Sequence, residues 1–246
     1  MTSQEWGSLV EGFSPPAVVM APYNPPYFND QFTAFGLAKI KDLLVYIIDA
    51  CEGYQIPSRI MTLTDRIAQR YGIRIMQVDM KHLNRDVEII NELSSQSLMD
   101  NWGYSGITPA EVQVMTRDLK PIIHPKAVLF AEDSSDSPVG FAIAIPDVNL
   151  ILKQIKGKML PLDWIKLLWG LSRLKQYRMF ALGVVPQYQG KGIDSLIYRA
   201  LYESIFSPDL RMEINYVLED NGLMNNAIIK LGAKPLRRYL IYQIGI

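Results

Sequence analysis

Two glycines and a lysine stand at a junction between a predicted strand and a predicted helix. The segment from Gln187 to Ile193 reads QYQGKGI, and it follows a run of aromatic and β-branched residues. The first N–H groups of a helix have no partner within it and lie at the positive end of the helix dipole. Phosphate groups bind at such ends, and glycine allows close approach to the backbone. The pattern predicts an anion-binding turn on Gly190 and Gly192, with Lys191 adding positive charge; a plain glycine turn is the alternative.

The spacing of this segment differs from two common phosphate-binding motifs. It is not a P-loop, because no Ser or Thr follows the Gly-Lys pair, and Ser195 stands where a dinucleotide-binding motif has its third glycine. The pattern Gln187-x-x-Gly190-x-Gly192 instead resembles the signature of the GNAT superfamily, the acetyl-CoA-dependent N-acyltransferases. The order of predicted elements around it also resembles that family over roughly residues 73–246.

The resemblance implies a binding site for acetyl-CoA as the acyl donor and involves no metal. In this family the pyrophosphate of coenzyme A binds the loop amides, here those of Tyr188, Gln189, Gly190, Lys191, Gly192 and Ile193. A bulge splays the preceding strand, and its free backbone groups, here those of Leu182, Gly183 and Val184, bind the pantetheine arm. Gly183 suits a bulge. A backbone N–H near Val184 would face the thioester carbonyl, and Asn221 would contact the cofactor arm.

The resemblance fails at the residues that would move protons. Family members often carry a tyrosine that protonates the departing thiolate, and Ile228 occupies that position here. The strand before the glycine loop also lacks a carboxylate that could deprotonate the amine. The candidates for catalysis are the Val184 amide, Tyr216 and Glu219, with Asp147 and Asp220 as further carboxylates. The carboxylates could equally be solvated turn residues, and Tyr216 could be a half-buried strand aromatic.

The elements around this junction predict a mixed α/β sheet. From Ile73 onward, the predicted order is strand, two helices, a hairpin, then alternating strands and helices. The N-terminal part adds a predicted strand over residues 17–22, a short helix, and either a strand pair or one long bent strand over AKIKDLLVYIID. A helix over residues 57–72 links the two parts, with Gly72 at its end.

The N-terminal part resembles the end of the chain. Gly36 precedes Tyr46 by ten positions, as Gly232 precedes Tyr242, and each glycine follows a predicted helix. This predicts a partial GNAT-like copy over 1–56, a linker helix over 57–72 and a GNAT domain over 73–246. Coincidence is the alternative. The apolar strands of the N-terminal part need covering by the 73–246 sheet or by a second chain, as in a homodimer.

The segment 150–177 is an unusual insert, since the family usually has a short turn here. Its six basic residues face one acid, and Trp164 and its neighbouring leucines recur at helical spacing. Three interpretations remain open: a lid over the acceptor pocket, an interfacial helix for an anionic membrane or a partner, and a solvated helix packed on the core.

Composition restricts the classes of function. The 246 residues contain 25 basic and 25 acidic side chains, so net charge gives no indication of nucleic-acid binding. One cysteine, Cys51, and two histidines do not indicate a disulfide framework or a metal site. The N-terminus does not resemble a signal peptide, and the apolar runs are too short to span a bilayer, so the expectation is a soluble cytoplasmic protein.

The sequence therefore favours transfer of an acyl group, acetyl by resemblance, from coenzyme A to a small-molecule or peptide amine. A non-catalytic module that binds acyl-CoA is one alternative, favoured by Ile228. A relative that transfers aminoacyl groups is another.

Overall fold

A computed structural model describes residues 6–99, 101–155, 170–171 and 173–245. Within these ranges the chain forms one mixed sheet of eight strands, flanked by helices on both faces. The elements in chain order are β1 (Ser8–Glu11), α1 (Tyr27–Ala34), β2 (Ala38–Asp49), α2 (Ser58–Tyr71), β3 (Arg74–Gln77), α3 (Leu83–Leu98), α4 (Pro109–Leu119), β4 (Val128–Glu132), β5 (Pro138–Pro146), α5 (Asn149–Gln154), β6 (Gln176–Val184), α6 (Ile193–Ile205), β7 (Arg211–Leu218), α7 (Gly222–Lys230) and β8 (Lys234–Gln243). Most of the 150–177 insert lies outside the described residues.

The N-terminal strand β2 lies inside the sheet. The strand order is β1-β8-β2-β7-β6-β5-β4-β3, and β6 with β7 is the parallel pair among these strands. β2 pairs with β7 on one side and with β8 on the other, so the prediction that the 73–246 sheet covers it is confirmed. Residues 1–56 and 73–246 therefore share one sheet. The interpretation of 1–56 as a partial copy stays a prediction.

The ends of α1 and α7 have the same local geometry. Gly36 and Gly232 both have left-handed φ angles, +94° and +88°. The N–H of Leu37 donates to the carbonyl of Phe32, and the N–H of Ala233 donates to that of Ile228. These are the six-residue bonds of a Schellman motif, which requires a residue that tolerates positive φ. The repeated Gly-to-Tyr spacing thus corresponds to a repeated helix end followed by a strand.

The predicted strand over residues 17–22 is wrong. Val18 and Val19 are buried, as an apolar strand would be, but the segment forms turns. Its backbone groups bind buried side chains of the sheet instead of a neighbouring strand. Arg178 donates to the carbonyl of Val19 at 3.0 Å, and the N–H of Val19 donates to the Asp147 carboxylate at 2.9 Å. The side chains that replace the strand pairing lie more than a hundred positions away in sequence.

Helices α6 and α3 cover opposite faces of the sheet. A Cβ on Gly140 of β5 would lie 2.8 Å from Ile197 of α6. A Cβ on Gly183, which pairs with the next residue of β5, would lie 2.2 Å from the Ser97 hydroxyl of α3. Consecutive strand residues point to opposite faces, so the two helices lie on different sides. For helix α4 the sequence predicts Thr108 as the N-cap with Pro109 at the first position, and the structure has both, with Glu111 completing a capping box.

Candidate active site

Strands β6 and β7 separate part-way along their length. They pair from Gln176 with Arg211 to Met179 with Ile214, and no pairing is present beyond that point among the described residues. On its other edge β6 contains one extra residue, Phe180, where the register with β5 shifts between Ile143 and Ala144. A bulge of this kind bends its strand, which here accompanies the opening of the sheet. The predicted splay is present.

The bulge lies at Phe180, which corrects its predicted placement at Gly183. Gly183 is required for a different reason. A Cβ there would lie 2.2 Å from the Ser97 hydroxyl oxygen and 2.7 Å from the Phe141 ring. Such distances are far inside van der Waals contact, so glycine allows α3 to lie directly on β6. Gly183 therefore determines how closely α3, which forms a wall of the site, packs on β6.

The backbone groups that face the opening belong to Leu182 and Val184. The Val185 N–H donates to the Val139 carbonyl at 3.0 Å, which places Val185 among the residues bonded to β5. Because bonded and non-bonded pairs alternate along an antiparallel ladder, Gly183 is also bonded to β5. The Gly183 backbone therefore faces β5 instead of the opening, and its role in binding the cofactor arm stays a prediction. Leu182 and Val184 point away from β5, and the Val184 carbonyl accepts a hydrogen bond from Gln189 at 2.9 Å.

The glycine loop has the geometry of an anion site. Gly190 and Gly192 have left-handed φ angles of +71° and +80°, and a Cβ on Gly190 would meet open space. Among the described residues, no acceptor pairs with the backbone N–H groups of Gly190, Lys191 and Gly192. These donors precede α6, a helix of 13 residues, at its positive end. The loop can bind an anion through backbone groups alone.

Side chains fix the shape of this loop. The Tyr188 hydroxyl donates to Asp133 at 2.9 Å, and that hydrogen bond raises the pKa of Tyr188. The Lys191 ammonium lies 4.5 Å from the Tyr188 ring centre and 5.3 Å from that of Tyr71. Its charge is therefore held beside the loop by two cation–π contacts. Ile193 is buried in the core, and Gln187 is exposed outside the cavity lining.

A cavity of about 900 Å³ extends from the glycine loop through the opening between β6 and β7. Its far wall is built by α3, by residues 101–107 and by α4, and the side chains on that wall are mostly apolar. They include Val87, Ile90, Leu98, Trp102, Val112, Met115, Leu119, Ile122 and Ile123. This volume lies in the upper range of ligand pockets and exceeds what an acetyl group requires.

The catalytic candidates are placed differently from one another. Val184 and Tyr216 line the cavity, whereas Glu219 is exposed outside its lining. A hydrogen bond with the Asp42 carboxyl raises the pKa of Glu219. The carboxyl of Glu219 thus bonds to Asp42 of β2, outside the cavity. This position corrects the assignment of Glu219 as a catalytic base. Asp147 is buried beneath the N-terminal segment instead of solvated in a turn.

Tyr216 contacts both the cavity and a buried cation. The Arg178 guanidinium carbon lies 5.1 Å from its ring centre, and the Tyr239 ring packs edge-on at 5.2 Å. Ile228 is buried in the core and does not line the cavity. The residue at the position of the usual family tyrosine is thus apolar and packed. Asn221 caps α7, accepting from the Met224 N–H at 3.1 Å, and lines the cavity as the resemblance implies.

Several lining residues were not predicted from the sequence. Lys230, at the end of α7, places a positive charge in the cavity lining. Trp102 and Ser97 line it from the α3 side, and Asn215 lines it from β7. Asn215 is a polar residue in a mostly apolar strand, and this break in the pattern could have indicated a residue of the site. The others depend on helix packing across the sheet.

The described ranges offer neither a metal site nor a membrane-spanning helix. No cluster of three or more His, Cys, Asp or Glu side chains there could hold a metal ion. No helix in those ranges combines the length and apolarity needed to cross a bilayer.

Comparison with solved structures identifies the architecture. A GCN5-related N-acetyltransferase from Sphaerobacter thermophilus superposes with a TM-score of 0.58 at 13% identity, covering 91% of this chain and 61% of that one. A tandem GNAT protein from the clavulanic acid biosynthesis pathway gives a TM-score of 0.55 at 11% identity, covering 93% and 60%. The chain has the GNAT fold. At these identities the likeness establishes the GNAT fold alone, and it confirms the predicted fold class.

Two curated proteins are similar in sequence to this chain. Protein YghO of Escherichia coli (strain K12) is 28% identical over 248 residues, and a bacterial ceramide synthase of Caulobacter vibrioides (strain NA1000 / CB15N) is 30% identical over 255 residues. Both alignments cover 98% of this chain, which spans 63% and 64% of the two relatives. No family model matches the chain.

Proposed function

We propose that the protein transfers an acyl group from a coenzyme A thioester to an amine that carries a long aliphatic chain. One observation carries this proposal: the opening between β6 and β7 joins an anion-binding loop to a large apolar cavity. The loop fits the polar end of coenzyme A. The cavity fits an aliphatic chain beyond the reacting thioester.

The residues at the opening match the chemistry of a coenzyme A thioester. The free amides of Gly190, Lys191 and Gly192 would bind the pyrophosphate, with Lys230 as a further cation. The backbone groups of Leu182 and the Val184 N–H, which face the opening, would bind the amide-containing arm. Coenzyme A supplies an acyl group activated as a thioester, and the chain positions that group against the amine.

The cavity and one relative together favour long-chain substrates over acetyl transfer to a small polar amine. The cavity wall on the α3 and α4 side is apolar, and burial of methylene groups there contributes about 0.8 kcal/mol each. A ceramide is an amide of a fatty acid with a long-chain amino alcohol. The relative named bacterial ceramide synthase is 30% identical across nearly the whole of this chain. Acetyl-CoA, the donor expected from the family resemblance, is the short-chain alternative.

The proposed reaction does not need a proton donor at residue 228. An ordinary thiol has a pKa of about 8.5, so a departing thiolate is tolerable near neutral pH. General acid help is typically worth ~10²–10⁴-fold. Tyr216 of β7 lines the cavity, and its hydroxyl group could supply this proton to the thiolate.

The test is a transfer assay that compares acetyl-CoA with palmitoyl-CoA, each offered to a long-chain amino alcohol and to a short polar amine. Products should be detected by mass spectrometry, because the exposed thiol of Cys51 would react with colorimetric thiol reagents. We expect amide product with the long-chain pair at a rate well above the short pair. Faster transfer with acetyl-CoA and the short amine would contradict the long-chain assignment.

A non-catalytic acyl-CoA-binding module is the second candidate, favoured by the buried, apolar Ile228. It predicts tight binding of acyl-CoA and no amide product with any amine. A cytoplasmic location and a homodimer remain proposals that follow from the sequence.

A further inference from the structure

Asn215 carries a buried amide group with no partner among the residues that the structure describes. Its side chain is 4% exposed, and neither Oδ1 nor Nδ2 makes a hydrogen bond there. Burying an amide without a partner costs about 1–3 kcal/mol, and native proteins rarely retain such groups without a reason. Asn215 therefore marks a place where the sequence maintains a polar group at the expense of stability.

The position of Asn215 relates this amide to the opening of the sheet. Met179 and Ile214 form the last pair between β6 and β7, so Asn215 is the first β7 residue beyond the pairing. Across from it on β6 stands Phe180, the bulged residue. Asn215 also lines the cavity, together with Leu182 and Val184. The amide thus lies at the apex of the splay, toward which an acyl chain extending from the glycine loop would point.

We propose that Asn215 is a catalytic residue that donates a hydrogen bond from Nδ2 to the carbonyl oxygen of the bound acyl group. This rests on the proposed function. A carbonyl accepts hydrogen bonds and cannot donate them, so Nδ2 is the atom that it would satisfy. As the amine nitrogen bonds to the carbonyl carbon, negative charge grows on that oxygen. The carbonyl then re-forms as the carbon–sulfur bond breaks and the thiolate leaves with the bonding electrons, and the amine proton goes to solvent or to the thiolate. A fixed donor there accelerates transfer, typically by ~10²–10³-fold.

The first experiment compares Asn215→Leu with Asn84→Leu. Asn84 is the control, because it is an exposed asparagine of α3 that lies outside the cavity lining. We expect Asn215→Leu to bind coenzyme A as the wild type does, to bind palmitoyl-CoA about 3–10-fold more weakly, and to transfer about 10²-fold more slowly. Its melting temperature should be unchanged or higher. Asn84→Leu should retain the wild-type difference in affinity between palmitoyl-CoA and coenzyme A.

The second experiment uses Asn215→Asp, which keeps the shape and removes the donor while the carboxyl is ionised. Burial raises the pKa of a carboxyl, and the protonated form can donate. Both proteins slow as the amine substrate becomes protonated, so the rate of Asn215→Asp divided by that of the wild type should increase as pH falls. A wild-type pH profile in Asn215→Asp, or equal palmitoyl-CoA affinity in Asn215→Leu, would overturn the assignment. If the wild type binds palmitoyl-CoA without transferring it, the proposed function fails, and the affinity comparison alone decides the role of Asn215.

Discussion

Met179 and Ile214 form the last backbone pair between β6 and β7, and every feature of the candidate site follows from their position. Beyond them the sheet opens, the backbone groups of Leu182 and Val184 lose a neighbouring strand, and the cavity passes between the strands. An unpaired strand edge inside a protein is costly unless a partner satisfies it. The opening is therefore most simply explained as the place where an extended ligand takes the role of a strand.

Gly190→Glu should weaken binding of coenzyme A by more than tenfold. The new carboxylate would repel the phosphates at the loop, and calorimetric titration with coenzyme A measures the effect. Gly53→Glu is the matched control, because Gly53 has a similar φ of +79° and also faces open space. Both variants carry the same left-handed strain of about 1–2 kcal/mol. Equal coenzyme A affinities in the two variants would remove the loop from the binding site.

The features predicted correctly from the sequence are those whose causes are local. Helix α4 depends on Thr108, Pro109 and Glu111, all within four residues, and its cap is present as predicted. The glycine loop is equally local, because positive φ at Gly190 and Gly192 depends on the residues themselves. For the residues of β2 the sequence left a strand pair and one long bent strand open, and the structure has the single strand.

The predictions that failed were overturned by contacts with residues far away in the sequence. The segment over 17–22 is apolar enough for a strand, but Arg178 and Asp147 bind its backbone from far along the chain. Gly183 was read as a bulge because a glycine in a strand permits one. The residue that excludes a side chain at position 183 is Ser97, and it comes close to Gly183 only because α3 packs on the sheet. Local sequence carries no signal for either contact.

Arg237→Met should destabilise the fold strongly. The Arg237 side chain is 0% exposed, pairs with Glu213 at 3.3 Å, and donates to the carbonyls of Pro15 and Pro16 at 2.7 and 2.9 Å. Removing it leaves a buried carboxylate and two carbonyls unpaired, which costs about 3–5 kcal/mol. Urea unfolding measures the change in the free energy of unfolding.

The neighbouring residue provides the control for this prediction. Arg238 is 39% exposed and pairs with the exposed Glu11, so Arg238→Met should cost less than about 1 kcal/mol. Comparable losses in the two variants would mean that the buried network does not hold the N-terminal segment.

Asp147 should make stability fall as pH rises between about 4 and about 6. Burial raises its pKa to about 6, with the charge of Glu213 adding to the effect, although the N–H groups of Val19 and Asn149 oppose it. Its unfolded pKa is about 3.9, so the folded state binds the extra proton in this window. The stabilisation is complete below pH 4 and is lost as pH rises through 6. It amounts to roughly 3 kcal/mol.

Asp147→Asn isolates this effect, because an amide oxygen can still accept from Val19 but does not titrate. The free energy of unfolding of the variant minus that of the wild type should increase between pH 4 and pH 6.5. A flat difference across that range would show that the Asp147 pKa is not raised in the folded protein.

Gly183→Ala should destabilise the protein by about 1–3 kcal/mol, because its methyl group would overlap the Ser97 hydroxyl at 2.2 Å. Ser97→Ala removes that oxygen, so the double variant should recover part of the loss. The measurement is a double-mutant cycle of unfolding free energies, in which contacting residues typically couple by 0.5–3 kcal/mol. Recovery should be incomplete, since the Phe141 ring at 2.7 Å still opposes the methyl group. Strictly additive losses would mean that α3 does not lie on Gly183, and the cavity wall built by α3 would then need to be placed elsewhere.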